Sequence, residues 1–276
     1  MLEIILIIIA PIIGGLIYGF ERVVRARMQN RQGPPLLQPF YDMLKLIDKQ
    51  AFIVNPYHAI LGIMHFFTLW VVVAFVILGE NLLYVVFLHL LSSIFIVLAG
   101  FSVRSIYSHI GANRELLSII AYEPILIMLA VGFFMLNGTF DIETIRSSNS
   151  ELASMFFLFL AFLLVIPVKL KKSPFDAAEA HQEIIGGVEV EFSGIFFEFL
   201  YMAKWLEYVF IYSLLMLFAG DCILLGVGLF IGVFFLVNLV DNSTARVKIN
   251  HLIKIVLVIG LTLGMLNLIG LSNVFS

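Results

Sequence analysis

The sequence predicts an all-α membrane protein with about eight transmembrane helices, a cytoplasmic amphipathic helix and a short acidic loop helix. Of its 276 residues, 62% are hydrophobic and 13% are charged, whereas about 25% of the residues of a soluble domain are charged. The mean hydropathy is +1.08. Apolar segments of about 20 residues, long enough to cross a bilayer, recur without a long polar linker. We therefore expect residues 1–276 to form a single transmembrane bundle.

The apolar segments define the candidate spans in order. They lie at 4–21, 58–79, 82–103, 116–137, 152–168, 192–218, 221–240 and 252–271. The first segment lacks the basic region that precedes the core of a signal peptide, so we expect it to be retained as a helix. The fifth segment is the shortest, and the sixth carries the most ionisable residues.

Basic residues predict the orientation of these spans. Of the 16 Lys and Arg residues, all except Arg146 and Lys204 lie in or next to four alternate connections. Cytoplasmic loops are enriched in Lys and Arg. We therefore expect a multi-pass protein of the cell inner (plasma) membrane, with both termini outside. The predicted cytoplasmic loops are 22–57, 104–115, 169–191 and 241–251.

The composition excludes several classes of function. Cys222 is the single cysteine, so the chain alone can form neither a disulfide nor a four-cysteine iron–sulfur site. The six histidines show no metal-ligand spacing, and no phosphate loop, dinucleotide fingerprint or serine-hydrolase elbow is present. We therefore expect no metal and no cofactor in this chain. A membrane bundle also makes a nucleic-acid partner unexpected.

The first cytoplasmic segment contains a predicted amphipathic helix. Apolar residues recur at helical spacing over 34–49, and Pro39 suits a first helical turn. Such a helix lies on the membrane surface or beneath a partner protein. The arginines before it serve either as topology charges or as a docking surface. The candidate docking residues are Arg25, Arg27, Arg31, Gly33 and Pro34.

The third cytoplasmic segment is rich in carboxylates. Ser173 and Pro174 predict the start of a short helix, and Gly186 and Gly187 predict its end. Within that helix Asp176, Glu179 and Glu183 would share one face. A solvated acidic face and a functional cluster are both consistent with this spacing. His181 lies among these acids and could relay protons near neutral pH.

Ionisable residues continue into the predicted spans. Glu191 opens the sixth span and Glu198 follows on the same face, while Lys204 and Glu207 lie three residues apart, within pairing reach. Glu123 lies inside the fourth span. A charge at the bilayer centre costs about 2.5–3.5 kcal/mol, so these groups should face protein or water and are candidates for function. The alternative for Lys204 and Glu207 is a structural ion pair that fixes helix packing.

Three motifs give the chain a resemblance to a known family. They are Arg-x-Gln-x-Arg-x-Gly-Pro at 27–34, Tyr122-Glu123-Pro124, and Ser-Pro-Phe-Asp…Val-Glu-Phe-Ser-Gly at 173–194. The chain resembles complex I subunit 1, the heel membrane subunit that joins the peripheral arm to the membrane arm. The eight spans and the loop sizes agree over nearly the whole length. The stretch Ala-Glu-Ala-His-Gln-Glu at 178–183 and the run at 34–42 are similar to the energy-converting hydrogenase branch, because quinone-type members tend to have an acid at the position of His181.

The resemblance implies a non-catalytic subunit of a multi-subunit oxidoreductase. Its partners would be hydrogenase-like large and small subunits, which carry iron–sulfur clusters and a [NiFe] centre, and antiporter-like membrane subunits. Asp176, Glu179, Glu183 and Glu191 would be the loop acids that couple electron transfer to proton or sodium translocation, and Glu123 a buried acid facing them. The alternatives are a quinone-binding heel subunit of a respiratory dehydrogenase, a subunit of a sulfur-reducing complex, a secondary transporter, and a passive anchor.

Overall fold

The computed structural model describes residues 2–275, and the side chains of 3–180 and 182–273 within them. All regular secondary structure in this part of the chain is helical. The helices are α1 (Leu2–Met28), α2 (Gln38–Asp48), α3 (Pro56–Leu78), α4 (Leu82–Phe101), α5 (Ile106–Asn137), α6 (Ile142–Ser147), α7 (Phe156–Lys169), α8 (His181–Ile184), α9 (Gly194–Leu217), α10 (Ile223–Ser243), α11 (Ile249–Ile253) and α12 (Gly260–Phe275), the last two joined by a π-helical segment over Lys254–Ile259.

The predicted membrane fold is confirmed. Among the described residues, seven helices are long and apolar enough to cross a bilayer: α1, α3, α4, α5, α9, α10 and the continuous helix Ile249–Asn273. The remaining predicted span, the fifth at 152–168, corresponds to α7, which is apolar but has only 14 residues. The predicted amphipathic helix is α2, with Pro39 in its first turn. Phe40 packs its ring 5.2 Å from the Trp205 ring of α9, whereas Leu44 and Ile47 are exposed.

Two helices extend beyond their predicted ends. Helix α1 continues to Met28, so that Arg25 and Arg27 are helical rather than in a loop. Helix α5 begins at Ile106, which makes most of the predicted loop 104–115 helical. At ~1.5 Å per residue these helices are about 40 and 48 Å long, longer than the ~30 Å hydrocarbon core. Hydropathy located their apolar parts, and the polar turns continue past the membrane.

Local sequence sets several helix ends. The Asn55 side chain accepts a hydrogen bond from the Tyr57 N–H at the start of α3, and the Asn81 side chain accepts one from the Leu83 N–H at the start of α4, each at 3.0 Å. Gly79 ends α3 with a φ of +80°, a left-handed conformation that glycine adopts without a steric penalty. These caps satisfy backbone groups that the first and last helical turns leave without a partner.

Connections separate to opposite ends of the bundle. At one end the Leu82 N–H donates to the Phe140 carbonyl at 2.8 Å, and the Asp221 N–H donates to the Ser148 carbonyl at 2.9 Å. At the other end the Phe52 N–H donates to the Ser193 hydroxyl oxygen at 2.8 Å. The predicted cytoplasmic loops thus lie together. The side of the membrane that they face remains a prediction from their charge.

The short helix α7 determines where the acidic loop lies. Fourteen residues span about 21 Å, less than the hydrocarbon thickness, so the chain leaves α7 while still between the other helices. Residues near the start and near the end of the following loop are buried, including Lys172, Phe175 and Val188. The backbone of α5 approaches closely, and a Cβ added to Gly111 would lie 2.5 Å from the Gly187 Cα. The loop at 170–193 therefore fills one end of the bundle.

The acidic loop contains short helical turns, but its three predicted acids do not share a helix face. The turns are a 3-10 turn at Ala177–Glu179, the α-helical turn α8, and a second 3-10 turn at Gly187–Glu191. Ser173 does not cap a helix, because its hydroxyl donates to the Thr244 carbonyl and its N–H to Asp241. Long-range partners, which local spacing cannot reveal, hold this loop.

Candidate functional site

A cavity of about 300 Å³ lies between the acidic loop, α1, α5 and α9. Charged side chains from all four regions line it, and they nearly balance in charge, with five basic and six acidic groups among the described residues. A buried charge requires a partner of opposite sign and hydrogen bonds. The charged lining residues are Arg25, Lys169, Lys171, Lys172, Lys204, Glu115, Asp176, Glu179, Glu189, Glu207 and Asp241.

The loop cluster, formed by Lys171, Glu179, Glu189 and Lys204, lies on one side of this cavity. The Lys204 Nζ is 3.1 Å from the Glu179 Oε2 and 2.8 Å from the Glu189 Oε1. Lys171 also contacts Glu179, at 2.7 Å, and lies 3.5 Å from the Glu115 carboxylate of α5. One ammonium group of a transmembrane helix thus bridges two carboxylates of the acidic loop.

The two carboxyls of the loop cluster titrate differently. Burial raises the pKa of Glu189 to about 7, and the neighbouring Glu179 charge acts in the same direction. Burial also favours the neutral form of Glu179, but the ammonium groups of Lys171 and Lys204 hold its pKa below its usual range. Near neutral pH, Glu179 is therefore ionised and Glu189 exchanges its proton.

The deep cluster, formed by His89, Glu123, Lys169 and Glu207, lies further along the helices. Glu207 is about 20 Å from the start of α9 at ~1.5 Å per residue, near the middle of a bilayer. Its carboxylate is 3.0 Å from the Lys169 Nζ and 3.4 Å from the His89 Nε2. The Glu123 Oε2 lies 4.0 Å from the other ring nitrogen of His89. Glu123 therefore faces the inner histidine rather than the loop acids that the family resemblance implied.

The α1 cluster, formed by Glu21, Arg25, Lys172, Tyr208 and Asp241, joins three helices to the loop. Glu21 accepts hydrogen bonds from Lys172 and Tyr208 and is 2.6 Å from Arg25. Arg25 also lies 2.9 Å from Asp241 of α10. Members of all three clusters line the charged cavity, which extends from α1 and the loop to Glu207 at the centre of α9.

The predicted pair of Lys204 and Glu207 is not formed. Lys204 belongs to the loop cluster, and Glu207 belongs to the deep cluster. The two residues are close on one helix, but Lys204 pairs with carboxylates of the loop and Glu207 pairs with Lys169 of α7. Both residues nevertheless line the charged cavity, as does Glu179.

The other predicted acids lie in different surroundings. Asp176 forms a two-pronged pair with Arg246, at 2.6 and 2.8 Å. Glu183 is half exposed and lies 2.7 Å from Arg114. Glu191 and Glu198 form no ion pair with the described side chains, although Glu198 is buried. The side chain of His181 lies outside the described residues.

The predicted docking residues divide into two groups. Arg27 and Arg31 are exposed and make no ion pair within the described part of the chain. Arg25 instead belongs to the α1 cluster. Gly33 packs against α1, where an added Cβ would lie 3.0 Å from that of Ala26, and Pro34 beside it is half-buried. A free basic surface therefore remains at Arg27 and Arg31.

Sequence reasoning missed several members of the three clusters. Glu21 was detectable, because a carboxylate follows directly on a long apolar segment. His89 was also detectable as an ionisable residue within a span. Glu189, Lys169 and Lys171 gave no comparable signal, because all three lie in or at the edge of a predicted polar loop.

A second cavity, the apolar groove, lies beside the end of α2 and has a volume of about 580 Å³. Apolar side chains of the loop and of α9 form most of it. His58 of α3 stacks behind Phe192, with ring centroids 3.7 Å apart. The lining residues are Leu46, Lys49, Gln50, Phe52, Ile185, Gly186, Glu189, Val190, Phe192, Ser193, Gly194 and Phe197.

Metal ligands do not gather in either cavity. Over the described side chains, no group of three or more His, Cys, Asp or Glu residues is arranged to hold a metal ion. The clusters instead pair each carboxylate with Lys, Arg, His or Tyr. This donor set suits charge and proton exchange rather than metal binding.

Fold and clusters together define a multi-pass membrane protein with ionisable groups in its interior. A family profile described as NADH dehydrogenase matches residues 2–272, and the chain belongs to this family. It is 30% identical over 235 residues to an NADH-quinone oxidoreductase subunit of Brevibacillus brevis, an alignment that covers 75% of this chain and 68% of that protein. It is 29% identical to NADH-ubiquinone oxidoreductase chain 1 of Pecten maximus over 86% of this chain and 77% of that one.

A solved structure has the same fold. The membrane-bound sulfane sulfur reductase, an archaeal respiratory membrane complex, contains a chain with a TM-score of 0.86 at 22% identity, covering 96% of this chain and 98% of that one. The family profile and the sequence relatives confirm the predicted membership of the complex I subunit 1 family, and the chain is a complex I-like membrane subunit of an oxidoreductase complex. The hydrogenase branch stays a prediction.

Proposed function

We propose that this chain is the membrane-anchor and ion-coupling subunit of a complex I-related energy-converting [NiFe] hydrogenase. It links electron transfer in a peripheral arm to the translocation of protons or sodium ions. One observation carries the coupling role: a cavity lined by charged side chains joins the acidic loop to Glu207 at the middle of α9. A passive anchor has no need for charges at that depth, where each is costly.

Charge pairing within the cavity provides the coupling mechanism. Lys204 balances two carboxylates of the loop, and Lys169 balances Glu207. A charge that appears in the peripheral arm shifts the loop cluster first, because the loop is nearest to the arm in this proposal. The lysines and carboxylates then redistribute their protons, since a group in a low-dielectric interior responds strongly to its neighbours' charge.

Each candidate residue receives a role in this proposal. The loop acids and His181 form the cytoplasmic part of the coupling set, and Lys204, Glu207 and Glu123 form the membrane part. Glu191 ends the second 3-10 turn, and Glu198 lies in the second turn of α9. The coupling residues are Glu123, Asp176, Glu179, His181, Glu183, Glu191, Glu198, Lys204 and Glu207.

Electron chemistry belongs to the partners in this proposal. Hydrogenase-like large and small subunits carry the [NiFe] centre and the iron–sulfur clusters, and antiporter-like subunits continue the membrane arm. The exposed Arg27 and Arg31 form the docking surface for the arm, with Arg25, Gly33 and Pro34 holding its geometry. The sequence at 178–183, with His181 where quinone-type members have an acid, supports the hydrogenase branch.

A quinone-reducing complex is the second candidate. The apolar groove beside α2 favours it, because a volume of about 580 Å³ lies within the range of ~300–1,000 Å³ for small-molecule sites. The names of the sequence relatives point the same way, since they are subunits of quinone oxidoreductases. The fold shared with a sulfane sulfur reductase adds a sulfur-reducing complex as a related possibility.

Assays on the intact complex distinguish these functions. The complex that copurifies with the chain is placed in sealed vesicles and given a reduced ferredoxin-like donor. Protons, a soluble quinone analogue and polysulfide are then supplied as acceptors in separate reactions. Hydrogen evolution with the formation of an ion gradient supports the hydrogenase. Quinone reduction without hydrogen, or sulfide production, would replace that assignment with the corresponding alternative.

A further inference from the structure

Glu189 is the single residue, among those described, that lines both cavities. It borders the charged cavity together with Lys204 and Glu179, and it borders the apolar groove together with Lys49 and Phe192. The two cavities are thus separated by the 3-10 turn Gly187–Glu191 that carries this carboxyl. Sequence reasoning attached no role to Glu189.

The groups around Glu189 fix how it can bind a proton. Lys204 contacts both Glu189 and Glu179, so the two carboxyls lie side by side. Two carboxylates that share one ammonium repel each other, which favours a proton on one of them. The titratable and charged groups that face this pair are Lys171 of the loop, Lys204 of α9, Glu115 of α5 beyond Lys171, Tyr18 of α1 and Lys49 after α2.

We propose that Glu189 binds a proton at the boundary between the two cavities and passes it between the apolar groove and the charged cavity. This inference rests on the proposed coupling function. Glu189 contacts one ammonium group, that of Lys204, whereas Glu179 is held by two, those of Lys171 and Lys204. Glu189 is therefore the member of the pair that binds a proton more readily.

The transfer step conserves atoms and charge. The Glu189 O–H bond breaks as an O–H bond forms on a water molecule in the charged cavity, so that the water carries the positive charge, Glu189 becomes the anion and Lys204 remains beside it as the counter-ion. A proton taken up from the groove side then restores the Glu189 acid. No oxidant or reductant takes part, because the step moves a proton alone.

Infrared difference spectroscopy of the intact complex tests this site directly. In the unmodified complex, a protonated-carboxyl C=O band should lose intensity as the pH rises through about 7, because the raised pKa of Glu189 keeps it protonated below that pH and ionised above it. The band should lose intensity in Glu189→Gln and be unchanged in Glu80→Gln, an exposed carboxyl at the opposite end of the bundle. A titrating band that keeps its full intensity in Glu189→Gln overturns the inference. So does the absence of such a band in the unmodified complex, which is informative even if Glu189→Gln fails to assemble.

Ion uptake in sealed vesicles separates this inference from the proposed function. We expect Glu189→Gln to lower ion uptake per electron by about ten-fold or more, as for the loss of a positioned acid–base group. Glu207→Gln serves as the reference variant. If Glu207→Gln retains full uptake, the proposed coupling function fails. If Glu207→Gln loses uptake while Glu189→Gln keeps it, the coupling function stands and the role of Glu189 is refuted.

Discussion

The ion pair between Lys169 and Glu207 is a sharp test of the buried charge network. It joins the end of α7 to the middle of α9, with the Lys169 Nζ 3.0 Å from the Glu207 Oε1. The side chains are only 5% and 12% exposed. The Tyr122 hydroxyl, 3.2 Å from the same ammonium, adds a hydrogen-bond partner. Each charged group is therefore stabilised mainly by its partner rather than by hydration.

Physical magnitudes predict the cost of breaking this pair. At 3.0 Å and an effective dielectric constant of ~20, the Coulomb attraction is about 5–6 kcal/mol, of which desolvation offsets a large part. Removing one partner leaves the other charge buried and unpaired, which costs about 3–5 kcal/mol. We expect Lys169→Met to lower the free energy of unfolding by this amount. The double variant with Glu207→Gln should recover about 2–3 kcal/mol of the summed losses.

Denaturant unfolding of the purified chain in detergent measures these differences. The midpoint and slope of each transition give the free energy of unfolding for the two single variants and the double variant. Lys248→Met is the matched control, because Lys248 is exposed before α11 and its loss should change stability by less than about 0.5 kcal/mol. Strictly additive losses, or a Lys169→Met effect as small as that of the control, would refute the argument for a coupled buried pair.

Three further predictions concern the loop and the docking surface. Gly111→Ala should displace the acidic loop and lower the thermal midpoint of unfolding, because the new Cβ would lie 2.5 Å from the loop backbone. Gly228→Ala is the control and should leave the midpoint unchanged, because no atom lies within 4 Å of its added Cβ. Arg246→Gln should raise amide hydrogen exchange at 173–191, because it removes the ion pair with Asp176. The free energy of local opening should fall by only about 1 kcal/mol, since the pair is partly exposed. Unchanged exchange would contradict a role of this ion pair in holding the loop. The double variant Arg27→Gln, Arg31→Gln should release the peripheral arm at lower salt in a pull-down, and equal retention would contradict the docking surface.

Hydropathy predicted the spans because it depends on local composition. Each apolar run of about 20 residues became a helix, and even the short α7 was recognised as the shortest span. The consequence of its length was not visible. Only the packing of α7 against the longer helices α5, α9 and α12 shows that the following loop must enter the bundle. The polar ends of α1 and α5 were missed because polar helical turns leave no hydropathy signal.

Charge pairing was less predictable because its partners are distant in sequence. The acids at 176–183 looked like one repelling face, but Arg246, Lys171 and Arg114 each compensate one of them from elsewhere. The spacing of Lys204 and Glu207 predicted a local pair, and both instead found partners across the cavity. Single-sequence reasoning identified which residues were ionisable at depth. The tertiary structure determined which of them share a cluster.

The number of ions translocated per electron in Glu207→Gln tests whether the charged cavity couples ion movement to electron transfer. The assembled complex is placed in sealed vesicles, and ion uptake and electron transfer are recorded together, with Glu80→Gln as the control at the opposite end of the bundle. We expect Glu207→Gln to lose most of the ion uptake while electron transfer in uncoupled vesicles continues. An unchanged ion-to-electron ratio in Glu207→Gln would contradict an ion-coupling role for the charged cavity.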